Sequence, residues 1–179
     1  RLDNLSYALE KIEKINNKNL FLEFGVFHGR TTNFISDILK SYNINLTAFD
    51  SFEGLSEDRK GTSDKMGTFE NKNFENLKLN ENIDLIKGNI YETFPKFLSN
   101  IQNKIDFIHI DTDTYEVSKF ILENAKSRLN KNSIIVFDDF HNFPGWSQGE
   151  HKSLLETFQN NEYEYLSFSY SHQASIRIK

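Results

Sequence analysis

Two groups of aspartates close neighbouring apolar runs. Asp111 and Asp113 follow Ile105 to Ile110, and Asp138 and Asp139 follow Ser133 to Phe137, with one helix's worth of chain between them. Strands joined by a single crossover helix usually lie side by side and parallel, roughly 4.8 Å apart, so their carboxyl ends deliver side chains into one crevice. Carboxylates gathered there repel without a counter-ion, which makes Asp111, Asp138 and Asp139 candidate ligands for a hard cation such as Mg2+. Aspartates after strands also serve as helix caps. Four of them at the ends of two adjacent strands are harder to explain that way.

A second constellation lies earlier. Glu23-Phe24-Gly25-Val26-Phe27-His28-Gly29-Arg30-Thr31 joins a buried strand to a helix, and its glycines allow a tight turn and close approach of backbone N-H groups to a ligand. Asp50 closes the next strand roughly 20 residues later, the position from which a carboxylate accepts ribose hydroxyls in nucleotide-binding crevices. A dinucleotide site wants glycine where Phe27 stands, and a phenyl ring would crowd a pyrophosphate. A nucleoside without phosphates suits this turn better.

The turn resembles motif I of class I S-adenosylmethionine (SAM) methyltransferases. Together with Phe49-Asp50-Ser51-Phe52-Glu53-Gly54-Leu55, His109-Ile110-Asp111-x-Asp113-x-Tyr115 and Val136-Phe137-Asp138-Asp139-Phe140, it resembles the macrocin O-methyltransferase (TylF-type) family from about Leu20 to the end. The resemblance implies a Rossmann-like α/β three-layer sandwich, its seven-stranded sheet mostly parallel with an antiparallel C-terminal strand. It implies SAM as cofactor, with Glu23, Gly25, Val26, Phe27, Gly29, Arg30 and Thr31 along the methionine part and Asp50 on the ribose. Ser51, Phe52, Gly88, Asn89 and Ile90 would surround the adenine, and Asp111 would adjoin the cofactor. It assigns Mg2+ to Asp111, Asp138 and Asp139 and the role of base to Asp113. His141, which follows the acid pair, is a second candidate base, set against the commoner surface or capping role of a lone histidine. Asn89 departs from the pattern, standing where an acid is common. The region before Leu20 is also short beside members that carry an N-terminal substrate-covering segment.

The implied reaction is transfer of a methyl group from SAM to a hydroxyl of a small molecule, a sugar or glycosylated metabolite. A free alcohol resists alkylation at neutral pH. A divalent cation lowers the pKa of a hydroxyl brought to it, and a nearby base then takes the proton. Two rivals remain. Asp111-Thr112-Asp113-Thr114 matches the D-x-D-x-T motif of haloacid-dehalogenase-type phosphohydrolases, but that chemistry wants the motif on the first strand and leaves the glycine turn and Asp50 unused. A non-catalytic SAM-binding protein would keep the turn and lose the acids.

These residues need a scaffold. Leu5, Leu9, Ile12 and Ile15 repeat at helical spacing and predict an amphipathic helix within residues 1–19. Strands are expected over Leu20 to Phe24, Asn45 to Phe49, Ile83 to Ile86, Ile105 to Ile110 and Ser133 to Phe137. Helices are expected from Thr31 to Tyr42, Tyr91 to Ile101, Glu116 to Leu129 and His151 to Asn160. The polar segment Ser51 to Leu79 reads as a long lid loop. Phe140 to Gly149, with Trp146, is an aromatic loop that either sandwiches a sugar ring or plugs the lid. Glu162 to Tyr170 and Gln173 to Lys179 alternate and predict a terminal hairpin.

Composition narrows the class. The 179 residues fit one domain across 1–179. Absence of cysteine excludes disulfides, thiolate nucleophiles and Cys-ligated zinc and suits a cytoplasmic enzyme. With 26 acids against 21 bases and no basic block, nucleic-acid binding is disfavoured. No membrane span or leader is visible, although Arg1 in place of an initiator Met leaves room for upstream sequence. The expected partner is a small-molecule hydroxyl acceptor, with a homodimer left open.

Overall fold

The computed structural model describes the chain except Glu13, Lys14 and Asn16. Seven strands form one sheet: β1 (Leu20–Phe24), β2 (Leu46–Asp50), β3 (Ile83–Lys87), β4 (Ile105–Ile110), β5 (Leu129–Phe137), β6 (Tyr163–Phe168) and β7 (Ala174–Ile178). Their order is β3-β2-β1-β4-β5-β7-β6, with β7 antiparallel to both its neighbours and the other pairings parallel. The antiparallel terminal strand and the hairpin are therefore as the sequence predicts.

Helices cover both faces, because β1, β4 and the second half of β5 are buried on both sides and must be shielded twice. On one face α1 (Leu2–Glu10) and α2 (Arg30–Lys40) bury Leu5, Leu9, Ile35 and Leu39 against Phe21, Phe107 and Val136. On the other, α3 (Ile90–Ser99), α4 (Tyr115–Ala125) and α5 (Glu150–Thr157) bury Phe94, Ile121 and Leu154 against Phe24, Ile108 and Phe137. The result is the three-layer α/β sandwich.

Some boundaries differ from the periodicity. Helix α1 ends at Glu10, so Ile15 is outside it, and the part of the 1–19 expectation that falls on Glu13, Lys14 and Asn16 lies outside the described residues. Strand β5 starts four residues early, at Leu129, because Lys126–Arg128 closes α4 with a 3-10 turn. Between β2 and β3 the crossover is a loop with one 3-10 turn, Phe74–Asn76, in place of a helix. No helix among the described residues is long and apolar enough to cross a membrane.

Strand order reverses between β1 and β4, and at such a switch point the carboxyl ends of parallel strands open a crevice. Ladder bonds continue past the strand ends: Gly25 N donates to Phe49 O at 2.9 Å, Asp111 N to Phe24 O at 2.8 Å and Asp138 N to Ile110 O at 2.9 Å. The residues at the crevice are thus held by the sheet itself.

Candidate active site

The glycine turn is built against β4. Gly25 has φ +94°, and a Cβ there would lie 2.0 Å from the Asp111 carbonyl oxygen, so only glycine lets the two strand ends meet. Gly25→Ala should destabilise the fold by more than about 1 kcal/mol in urea unfolding. Asp50 fixes the turn from β2. Its Oδ2 accepts from Val26 N at 2.7 Å and Phe27 N at 2.9 Å, and its Oδ1 from Phe52 N at 2.7 Å. A carboxylate has about four acceptor positions, so most of this one already serves the backbone and one direction is left for a ligand. Buried Asn71 adds a tether, its Nδ2 donating to Phe27 O at 2.7 Å.

Asp111, Asp113, Asp138 and Asp139 converge beyond this turn. Ligand atoms of Asp111, Asp113 and Asp139 lie within 4.8 Å of one another, and so do those of His109, Asp111 and Asp138. The trio assigned to Mg2+ is therefore divided, with Asp111 common to both groups. Hard oxygen donors at this spacing fit a divalent cation, and the site already attracts a cationic group. Arg59 places Nη1 2.7 Å from Asp113 Oδ1 and Nη2 2.7 Å from Asp139 Oδ1, while Arg1 pairs with Asp138. Burial and the Asp138 carboxylate push Asp111 up well above the usual carboxylate range. Burial and Asp139 push Asp113 up in the same way, with Arg59 pulling back.

Behind the acids runs a buried polar chain. Glu23 on β1 and His109 on β4 are register partners, with Glu23 Oε1 3.0 Å from His109 Nδ1 and His109 Nε2 3.6 Å from Asp138 Oδ1. Burial alone would lower the imidazole, but the Asp138 and Glu23 carboxylates hold it up at about 10. Burial likewise opposes ionisation of Asp138, yet His109, Arg1 and the amide of Gln173 keep it below its ordinary value. Glu150 Oε2 accepts from Asp139 N at 2.9 Å, and burial beside Asp139 raises its own carboxyl. Because the folded pKa of His109 exceeds its unfolded value of 6.5, its contribution is complete below pH 6.5 and is lost as pH rises toward 10. Urea midpoints should fall across that window by an amount worth on the order of a few kcal/mol, and His109→Gln should flatten the profile.

Two loops close over the acids. Gly61 and Gly145, at φ +78° and +80°, pack backbone against backbone, and a Cβ on Gly61 would meet Pro144 O at 2.4 Å. Arg59 stacks on Phe143 with its guanidinium carbon 4.6 Å from the ring centroid. The 51–79 segment is thereby joined to the aromatic loop through the same arginine that bridges Asp113 and Asp139.

One cavity of about 720 Å³ takes in the glycine turn and the acids Asp111 and Asp113, whereas Asp138 and Asp139 are not among its lining residues. Of the residues expected at the cofactor, Gly25, Val26, Phe27, Asp50, Ser51, Asn89, Ile90 and Asp111 line it. Glu23, Gly29, Arg30, Thr31, Phe52 and Gly88 do not. Glu23 is buried beneath His109, and Phe52 stacks on Phe74 at 4.9 Å, supporting the turn from below. Asn89 caps α3 by accepting from Tyr91 N at 3.0 Å. Asp113 lines the cavity, whereas His141 turns away, its Nε2 donating to Gln173 O at 3.2 Å. Trp146 packs edge-on against His151 at 4.7 Å and is also outside the lining. The sequence reading missed Arg59, Glu150, Gln173 and Asn71, which carry no local signal. His109 did carry one, a histidine inside a strand buried at every position.

A family described as a methyltransferase domain matches residues 22–140, more than half of the chain. A curated relative from Streptomyces olivaceus, 8-demethyl-8-(2,3-dimethoxy-alpha-L-rhamnosyl)-tetracenomycin-C 4'-O-methyltransferase, is 26% identical across 78% of this chain and 60% of its own length. The chain therefore spans about three fifths of that relative. Among solved structures, the calicheamicin methyltransferase CalS11 superposes with a TM-score of 0.84 at 23% identity, covering 98% of this chain and 77% of that one. Its apo form, described as a TDP-rhamnose 3'-O-methyltransferase, gives 0.73 at 22%, covering 98% and 78%. A Bacillus cereus O-methyltransferase in complex with SAH gives 0.59 at 17%, covering 98% and 78%.

Proposed function

The chain belongs to the methyltransferase domain family, and from that premise we propose that it moves a methyl group from SAM to a hydroxyl oxygen of a sugar or glycosylated small molecule, with Mg2+ as the assisting ion. One observation carries the reading. At the switch point Gly25 and Asp111 touch, so the glycine turn and the acids Asp111 and Asp113 open into a single cavity. SAM is supported by the family and by the SAH complex of a fold relative; the sugar hydroxyl is supported by the names of the curated relative and of CalS11.

The division of labour follows from the residues. The turn, with the remaining acceptor direction of Asp50, holds the nucleoside, and Ser51, Asn89 and Ile90 bound its base. A cation among Asp111, Asp138 and Asp139 would supply Lewis acidity that lowers the hydroxyl pKa. Asp113, raised by burial and by Asp139 to about 9, would take the hydroxyl proton in its ionised fraction, so its action as base should strengthen as pH rises toward that value. Its strained backbone, φ +62°, fixes the carboxyl where Arg59 can reach it. Closed loops exclude water and hold the acceptor in line. His141 has no comparable position, and we assign the base to Asp113 alone. The phosphohydrolase alternative gains nothing: Thr114 precedes α4 and the motif lies on the fourth strand. We further propose one domain across 1–179, a cytoplasmic setting, and a lid role for 51–79.

The test is a labelled-methyl assay with SAM and a panel of glycosides, read by mass for the gain of one methylene unit on a sugar oxygen. Turnover should rise with pH along an acid limb whose midpoint lies above the ordinary aspartate value of 3.8. Asp113→Asn should remove that limb and lower kcat by about 10²- to 10⁴-fold. An unchanged limb would take the role of base from Asp113.

A further inference from the structure

Of the four aspartates, the two most buried, Asp138 and Asp139, do not line the cavity. Among the described residues, the cations that do line it are Arg1 and Arg59, and these pair with the two buried acids. The arginines therefore stand between the cavity and the oxygens a hard cation needs. Arg1 is half exposed and pairs with Asp138, its Nη2 lying 3.7 Å from Asp139 Oδ1. Arg59 is held more firmly. Only 13% of its side chain is exposed, and its two Nη atoms reach one carboxylate each, Asp113 and Asp139, both at 2.7 Å. Ligand atoms of Asp111, Asp113 and Asp139 lie within 4.8 Å of one another, so the guanidinium fork spans a gap of the size a divalent ion fills. Its fit is incomplete. Among the described residues the buried Nε of Arg59 has no hydrogen-bond partner, and a buried donor left unpaired is unfavourable.

The same arginine fastens a loop. Residues 55–68 have their ends pinned together, Leu55 N donating to Thr68 O and Gly67 N to Leu55 O, each at 2.9 Å. Inside, Arg59 N donates to Asp64 O at 3.0 Å and Thr62 N to Arg59 O at 3.3 Å, so the turn carrying the guanidinium holds its own shape. No residue from Ser56 to Gly67 is buried, and no apolar core resists the loop's release. Its tip is attached where Glu57 Oε1 accepts from Glu116 N at 3.1 Å, where Gly61 packs on Pro144, and where Arg59 meets two aspartates and Phe143.

We propose that Arg59 is a latch on the cation seat: its guanidinium and Mg2+ compete for Asp139, and the ion's arrival frees the 55–68 loop. This rests on Mg2+ as the assisting ion and adds how access to its seat is controlled. The ion then precedes the acceptor, because the loop itself lines the cavity with Leu55, Ser56, Arg59, Met66 and Gly67. The loop closes again once the acceptor is in place.

Calorimetric titration of the chain with Mg2+ and limited trypsin digestion decide it together. A seat open in about a tenth of the molecules weakens apparent affinity about tenfold, so Arg59→Gln should bind Mg2+ at least about tenfold tighter than wild type. Arg59→Lys, whose ammonium reaches one carboxylate at a time, should fall between, and it carries the test if Arg59→Gln does not fold. In the wild type, saturating Mg2+ should speed cleavage after the exposed Lys60 and Lys65 by about fivefold or more, as the open population grows. Arg59→Gln should be cut rapidly with or without the ion. Saturable Mg2+ binding that is no tighter in either variant removes the latch and leaves the ion in place. Protection of the loop by Mg2+ in the wild type also overturns the proposal. If Mg2+ binds neither the wild type nor the variants, the ion itself leaves the account and this inference falls with it.

Discussion

Asp138→Asn and Asp139→Asn are each expected to reduce Mg2+-supported turnover by about 100-fold or more while leaving SAH affinity within about twofold. Both side chains are almost fully buried. Asp138 is held by His109 and the Gln173 amide, and Asp139 is held through its backbone by Glu150 and through Oδ1 by Arg59. An asparagine keeps the shape and removes the anionic oxygen that a hard cation needs. In Asp138→Asn the imidazolium of His109 also loses a partner, so that variant should unfold at lower urea than Asp139→Asn. Turnover measured against Mg2+ concentration and in EDTA separates the two effects. Turnover indifferent to EDTA would remove the ion from the account and leave the acids to Arg59.

Asp50→Ala should abolish measurable SAH binding, a loss of at least about 100-fold. The substitution deletes three charge-assisted bonds, to Val26 N, Phe27 N and Phe52 N, each worth about 1.5–3 kcal/mol. It also removes the acceptor direction offered to the ribose. Asp50→Asn can keep its carbonyl oxygen on Val26 N and Phe27 N but turns the other acceptor into a donor facing Phe52 N-H, so its affinity should fall between. Unchanged SAH affinity in Asp50→Ala would mean that the nucleoside binds elsewhere.

Much of the sheet was legible because each buried run stops at a residue that cannot continue it. Phe24 meets Gly25, Ile86 nears Gly88, Ile110 meets Asp111 and Phe137 meets Asp138. The alternation around the Ser-His turn likewise marked the hairpin. Helix ends were less legible, since periodicity runs on through residues that only pack beside a helix, as Ile15 and Leu129 do. What neutralises the acids was not legible at all. Arg59 comes from the loop between β2 and β3, and the Gly61–Gly145 contact, with Arg59 stacked on Phe143, holds that loop over the crevice. Nor did Asp50 announce that three backbone N-H groups would occupy most of its carboxylate. Residues acting through chain folding over long separations, such as Glu150 and Gln173 on the acid pair, leave no pattern in a local window.

The central claim is that the bend at Gly25 and the end of β2 hold a sulfonium nucleoside next to the four aspartates. Titration of the wild-type chain with SAH, followed by heat, measures this most directly. The account predicts one saturable site per chain with a micromolar Kd, lost on Asp50→Ala; no saturable heat up to about millimolar SAH would contradict it.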